Sequence, residues 1–263
     1  MHEGISADDG DRKVEWSGAS GDYARFRPGP PDRLYTELAR AGCGRPDQRV
    51  LDLGTGTGVV ARRLAARGAR VVGLDPAAGQ LVQAHELARI ENLSVQFVRG
   101  RAERLPFAPQ SFDAATANQC WLYFDAQAMR VELGRVLAAG GLLATSHFSW
   151  LPREDPVAAA SERLILEHNP DWSAGDWHGR VPAVPAWSRQ GYRVRDHSVF
   201  DVEVPFTRES WRGRMRASRG IGATLTPPEV LRFDTQHAEL LAGLTPEHFT
   251  VRHRVDWHLF ELV

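Results

Sequence analysis

The sequence predicts an α/β fold, a doubly wound and mostly parallel sheet, and three observations predict it. Between residues 49 and 147, short β-branched or apolar runs alternate with longer helical segments, the signature of parallel strands covered by helices. One of those runs passes through three closely spaced glycines straight into a helix. The last run, 249–262, alternates at Val251, His253, Val255, Trp257 and Leu259 and is expected to return to the sheet as an edge or antiparallel strand.

Taken in order, residues 1–15 are polar and rich in Gly and Asp, so they read as a mobile tail, and structure is expected from Trp16 onward. Strands are predicted at 50–54, 70–75, 95–99, 112–118 and 141–148, with helices at 58–67, 77–90 and 125–138. Gly140-Gly141 is the stop of the last helix. A Pro- and Trp-rich stretch, 150–187, follows and holds a helix at 156–168; it reads as an insertion over the sheet. Then come a strand-like run at 194–206, an arginine-rich helix at 208–219 and a helix at 228–242. One domain over 16–263 is expected, with a core at 45–148 and helical insertions at 150–190 and 207–248. Both insertions exceed the ~12–15 residues of ordinary connections, so they are read as a functional lid over the crevice.

The chain has 263 residues, 43% hydrophobic and 25% charged, which excludes disordered and fibrous classes. Its net charge of -1 denies it a global pull toward nucleic acid or anionic lipid. Lys13 is the only lysine among 32 basic residues, a bias given no functional weight. Cys43 and Cys120 match no disulfide or zinc pattern, so no metal is expected and both read as reduced small hydrophobes. No apolar leader or ~20-residue apolar span is visible, so a soluble, cytoplasmic protein that binds neither membrane nor nucleic acid is expected.

The most informative segment is VLDLGTGTG at 50–58, a strand leading through Gly54, Gly56 and Gly58 into a helix. Glycines permit a tight turn and let a ligand lie against bare backbone. The spacing G-x-G-x-G, with Val59 where a dinucleotide loop has its third glycine and Asp52 inside the strand, argues against NAD or FAD. A second acid, Asp75, ends the next strand in VGLDP and offers two acceptor oxygens to adjacent hydroxyl donors.

Together these residues resemble the class I S-adenosylmethionine-dependent methyltransferases, in particular their small-molecule members, and the match runs through 45–148. The resemblance implies a Rossmann-like fold, S-adenosylmethionine as cofactor and a small-molecule acceptor of secondary metabolism, methylated at N, O or C. It implies that Asp52, Gly54, Thr55, Gly56 and Gly58 form the cofactor loop and that Asp75 and Pro76 hold the ribose. RAERLPF at 101–107 resembles the adenine segment, read by Ala102 and Glu103, and Asn118 and Gln119 follow the fourth strand. YARFRP at 23–28 resembles a segment that closes over the cofactor, with Tyr23 beside the methyl group and Arg25 or Arg27 pairing with the methionyl carboxylate; a surface strap with solvated arginines is the alternative.

Trp121 in WLYF lies where relatives contact the acceptor, or else packs in the core. Trp150, Trp172 and His178 of the insertion are candidate acceptor contacts. Among ten histidines, His147 ends the fifth strand beside the crevice and is the leading proton acceptor; Tyr23 is the other catalytic candidate. Arg208, Arg212, Arg216 and Arg219 share one helical face, read as solvated and ion-paired in preference to an RNA or anion site. Two other readings stay open: a fold-sharing enzyme that cyclises, decarboxylates or hydrolyses, and a cofactor-binding protein without activity.

Overall fold

β1 (Arg49–Leu53), β2 (Arg70–Asp75), β3 (Gln96–Arg99), β4 (Phe112–Asn118) and β5 (Leu137–Trp150) run parallel to one another. β6 (Tyr192–Thr207) and β7 (His248–Leu262) complete a sheet ordered β3-β2-β1-β4-β5-β7-β6. The computed structural model describes residues 14–16, 20–175, 177–189 and 191–263, without the side chains of Ser20 and Tyr23. The last strand is antiparallel as expected, yet interior: β7 pairs with β5 on one side and β6 on the other, so β6 is the edge. Strand order reverses between β1 and β4, and the crevice beyond their carboxyl ends is the expected ligand position in such a sheet.

α3 (Val59–Ala65), α4 (Ala78–Ile90) and α5 (Ala126–Val136) connect the parallel strands, while α1 (Ser20–Phe26) and α2 (Asp32–Ala41) precede β1. Each face of the sheet has its own apolar core. Tyr35, Leu38, Leu64 and Leu81 pack on one, and Trp121, Met129, Leu133 and Phe260 on the other. The expected glycine stop after α5 is corrected. The helix ends at Val136, Leu137 already pairs with Phe112, and Gly140 (φ 74°) lies in the register shift before Ala114 meets Leu142. The two glycines thus accommodate a bulge at the start of β5, where positive φ is needed.

α6 (Pro156–His168), α7 (Arg208–Arg216) and α8 (Pro227–Leu244) form a helical layer with a third core, which includes Trp150, Ile165, Trp172, Trp211 and Phe233. Their starts are written locally. Asp155 caps α6 by accepting from the Val157 and Ala158 N–H groups, and its other oxygen accepts from Arg252 N–H, pinning the helix to β7. Thr207 with Ser210 and Thr226 with Glu229 make capping boxes. Of the expected tail, residues 1–13 lie outside the described residues, whereas Glu15 N–H donates to Ala223 O at 2.7 Å. No helix among the described residues is long and apolar enough to cross a membrane.

Burial lowers three of the histidines in or beside these layers, His253 to about 3 and His237 and His258 to about 4. Asp52 on β1 moves the other way, pushed up to about 6 by burial. Stability from the histidines is complete above their unfolded pKa of ~6.5 and is lost as pH falls. Asp52 contributes in the opposite sense, its stability present at acid pH and lost as pH rises through about 6. The histidines, joined by carboxylates such as Asp201 and Asp234 that arginines hold below their usual range, outnumber Asp52 and Asp75, so we expect the unfolding free energy, read from the urea midpoint, to fall between about pH 6.5 and 4, by ~1.4 kcal/mol per pH unit for each uncompensated group. His253→Phe is expected to flatten that slope, and a midpoint constant over this range contradicts the expectation.

Candidate active site

The turn after β1 places Gly54, Gly56 and Gly58 at φ 57°, 55° and 75°, in the left-handed region that disfavours side chains. A Cβ on Gly54 would lie 2.8 Å from Cys120, and one on Gly58 2.8 Å from the Phe97 ring. Asp52 braces the turn from inside: it is 2% exposed, and its two oxygens accept from the Thr55 hydroxyl at 2.6 Å and the Thr116 hydroxyl at 2.7 Å. Thr55 N–H donates to Leu74 O, which ties the turn to β2. Asp75, at the end of β2, accepts from Gly56 N–H at 2.9 Å and Ala77 N–H at 2.8 Å. Its carboxyl is shifted upward by burial, against the pull of those two N–H groups.

Beyond this turn opens a cavity of about 510 Å³. Gly54, Gly56, Asp75, Pro76, Ala102 and Glu103 line it, as do Asn118 and Gln119, which brings together most of the residues singled out in the sequence. Arg101 lines its rim, 3.7 Å from Glu103. Thr55 and Gly58 stand behind it: the first is bonded to Asp52, the second packs on Phe97. Asp52 and Thr55 instead line a recess of about 30 Å³ that shares Arg27, Gly54, Asn118 and Gln119 with the larger cavity.

A second cavity, of about 140 Å³, lies under the helical layer and is lined by His147, Trp150, Trp172, Trp177, Glu162 and Arg214, among others. Trp16, Arg27, Gln119 and Tyr123 line both cavities and form the neck between them. Gln119 takes a positive φ of 58°, an unusual conformation for this residue. It is held there because its N–H donates to Ser146 O and its Nε2 to Phe148 O and Ser149 Oγ. Strain of this kind, fixed by a neighbouring strand, is characteristic of ligand sites.

His147 is 4% exposed and lies opposite Asp256 in the β5–β7 register, with Nδ1 2.9 Å from Asp256 Oδ1. A carboxylate at Nδ1 favours the tautomer whose lone pair is on Nε2, the arrangement of a general base.

Other expectations are corrected. Trp121 is 1% exposed and lines neither cavity; its ring packs 4.6 Å from Trp187 and 6.0 Å from Tyr192, so the core reading of this residue applies. Leu122 and Tyr123 face the second cavity in its place. His178 is exposed, its Nδ1 accepting from Arg180 N–H, and it is not among the cavity-lining residues. Of the two arginine candidates, Arg27 reaches the cavities, while Arg25 pairs with Glu209 on the surface. Tyr23 sits on α1, and its side chain is outside the described residues. In the arginine stripe, Arg212 and Arg216 pair with Asp234, Arg216 also with Asp22, and Arg208 donates to Thr245 O. Arg219 departs from that face and lines the second cavity.

Sequence reasoning missed Trp16, Glu162, Arg214 and Asp256 as lining or partner residues, whereas Trp177 belongs to the tryptophan-rich insertion read as the acceptor wall. The one available signal was a tryptophan at position 16, in an otherwise polar segment.

Residues 50–141 match a family model described as a methyltransferase domain. An uncharacterized methyltransferase of Mycobacterium tuberculosis is 35% identical over 133 residues, 51% of this chain and 51% of that protein. The demethylmenaquinone methyltransferase of Thermus thermophilus is 41% identical over 109 residues, 40% of this chain and 50% of that one. The chain thus spans about half the length of the curated relatives it matches. In fold it is similar to a candidate type II methyltransferase from Anaeromyxobacter dehalogenans, with TM-score 0.62, 23% identity and coverage of 89% and 97% of the two chains. It is also similar to a Haemonchus contortus phosphoethanolamine N-methyltransferase in complex with S-adenosylhomocysteine, with TM-score 0.53, 18% identity and coverage of 92% and 57%.

Proposed function

We propose that this chain, which carries a class I S-adenosylmethionine-dependent methyltransferase domain, transfers a methyl group to a hydroxyl of a small aromatic acceptor. The observation that carries the reading is the pair of cavities joined at one neck, with Asp75 in the first and the His147–Asp256 pair in the second.

The first cavity fits S-adenosylmethionine in the chemistry of its donors. Asp75 has acceptor capacity left for two ribose hydroxyls beyond its backbone bonds. Ala102 and Glu103 are set to read the adenine edge, and Arg27 to pair with the methionyl carboxylate. Asp52, in the adjoining recess, offers a carboxylate to the amino group. When bound, the cofactor supplies an electrophilic methyl on a sulfonium centre. The chain's task is then positioning and proton removal. Tyr123 and Trp16 exclude water at the neck, and Gln119 is fixed there by β5. Orienting two reactants in this way is worth ~7–11 kcal/mol of barrier in well-aligned cases. His147 Nε2 takes the hydroxyl proton, and Asp256 stabilises the resulting imidazolium. Trp150, Trp172 and Trp177 give the second cavity an aromatic wall suited to a flat acceptor the size of a secondary metabolite. The helical insertions thus serve as its lid.

The test is incubation of the full chain with methyl-labelled S-adenosylmethionine and a metabolite extract. A labelled product that forms only with active protein is expected. Unlabelled but altered product, or binding alone, would instead favour a fold-sharing enzyme or a non-catalytic binder.

A further inference from the structure

Two hydrogen-bonding groups in the wall of the second cavity are buried without a partner among the described residues. Trp172 and Ser218 are 5% and 4% exposed and both line the cavity, and neither Trp172 Nε1 nor Ser218 Oγ makes a hydrogen bond. Elsewhere in the same helical layer the chain supplies acceptors for its indoles. Trp150 Nε1 donates to Glu162 at 2.6 Å, and Trp211 Nε1 to Ser161 Oγ at 2.9 Å. The indole nitrogens of Trp121 and Trp187 also lack partners, but those rings pack in the core under the sheet and line neither cavity. Trp172 stands where a bound molecule can supply the acceptor that the fold does not.

The two groups are held on one wall. Trp172 N–H donates to Asn169 O at 3.1 Å, and Asn169, itself fully buried, donates from Nδ2 to Gly220 O at 3.0 Å. Gly220 packs so closely that a Cβ there would lie 2.9 Å from Cδ2 of the Trp172 ring. The Ile221 and Ala223 N–H groups both donate to Ser218 O, which fixes the turn that carries the Ser218 hydroxyl against that ring.

An indole N–H can only donate, and a buried donor left without an acceptor costs more than a made hydrogen bond contributes. We propose that the acceptor is a hydroxyaryl carbonyl compound and that Trp172 and Ser218 are its specificity determinants. Its carbonyl oxygen, with two lone pairs, accepts from Trp172 Nε1 and Ser218 Oγ, while its hydroxyl meets His147. An analogue without the carbonyl leaves both groups buried and unpaired and is rejected for that reason. The inference rests on the methyl-transfer reading of this cavity and goes beyond it by naming the group that selects the acceptor.

The experiment is calorimetry on the full chain saturated with S-adenosylhomocysteine. Its binding is measured first; failure at that step overturns the methyl-transfer reading and, with it, this inference. The three hydroxyacetophenone isomers are then titrated against the matching ethylphenols, which keep the ring, the hydroxyl and the two-carbon side chain but lack the carbonyl oxygen. At least one ketone is expected to bind tenfold or more tightly than its ethylphenol. Trp172→Phe and Ser218→Ala are each expected to cut that ratio severalfold with S-adenosylhomocysteine affinity unchanged, and the double variant to bring it to about one. Ring area lost in Trp172→Phe weakens both ligands alike, so the ratio isolates the N–H. Ser218→Thr, which keeps the hydroxyl, is expected to preserve the ratio, and the single variants decide should the double variant lose S-adenosylhomocysteine binding. The proposal is overturned if no ketone binds, if every ketone equals its ethylphenol, or if the ratio survives in both single variants.

Discussion

Asp75→Ala is expected to weaken S-adenosylmethionine binding by a hundredfold or more while the sheet stays folded. The carboxylate is the acceptor for two backbone N–H groups that shape the glycine turn, and under the proposed function it also accepts from two ribose hydroxyls. Each hydrogen bond to a charged group contributes ~1.5–3 kcal/mol, so losing both ribose contacts amounts to roughly two to four powers of ten in affinity. Asp75→Asn keeps one acceptor oxygen and is expected to fall between. Titration calorimetry with S-adenosylhomocysteine measures the effect, and circular dichroism controls for the fold. An affinity unchanged in the alanine variant would remove Asp75 from the cofactor site.

The second large effect is expected at His147. For a hydroxyl acceptor, His147→Ala should lower turnover by ~10²–10⁴, the range of a positioned general base, with cofactor affinity preserved. Asp256→Asn should act in the same direction, because the carboxylate opposite Nδ1 sets the tautomer. A pH–rate profile separates proton transfer from a packing role: the ascending limb of the wild-type enzyme should give way in His147→Ala to a rate that keeps climbing with pH as the acceptor hydroxyl itself ionises. If both variants retain wild-type turnover and the limb, His147 carries no proton and the acceptor atom is not a hydroxyl.

The core of the fold was legible because its signals are local. Periodicity and glycine spacing placed β1 to β5 within a few residues, and the acids at 52 and 75 sit where strand ends present them. Capping residues such as Asp155 and Thr226 mark helix starts by the same local logic. The second cavity was only partly legible because its residues meet through long-range pairing. Asp256 becomes the partner of His147 through the antiparallel β5–β7 register, 109 residues apart in sequence. Trp121 and Trp150 look alike as letters, yet one lies under the sheet and the other on the cavity wall. Nothing local sets Arg214 apart, because α7 carries arginines on several sides, and only the packing of α7 against Trp150 selects which of them is buried.

β7 has a consequence for modularity. This 15-residue strand carries Val251 in the core of the helical layer at one end and Phe260 in the core beneath the sheet at the other, with Asp256 between them. The acceptor-facing layer is therefore not a detachable module: a graft that took only α6 to α8 would leave both the Asp256 side of the histidine pair and the Arg252 anchor of α6 behind. An engineer who wishes to transplant this acceptor-facing layer onto another catalytic core must move the paired strands β6 and β7 with the helices.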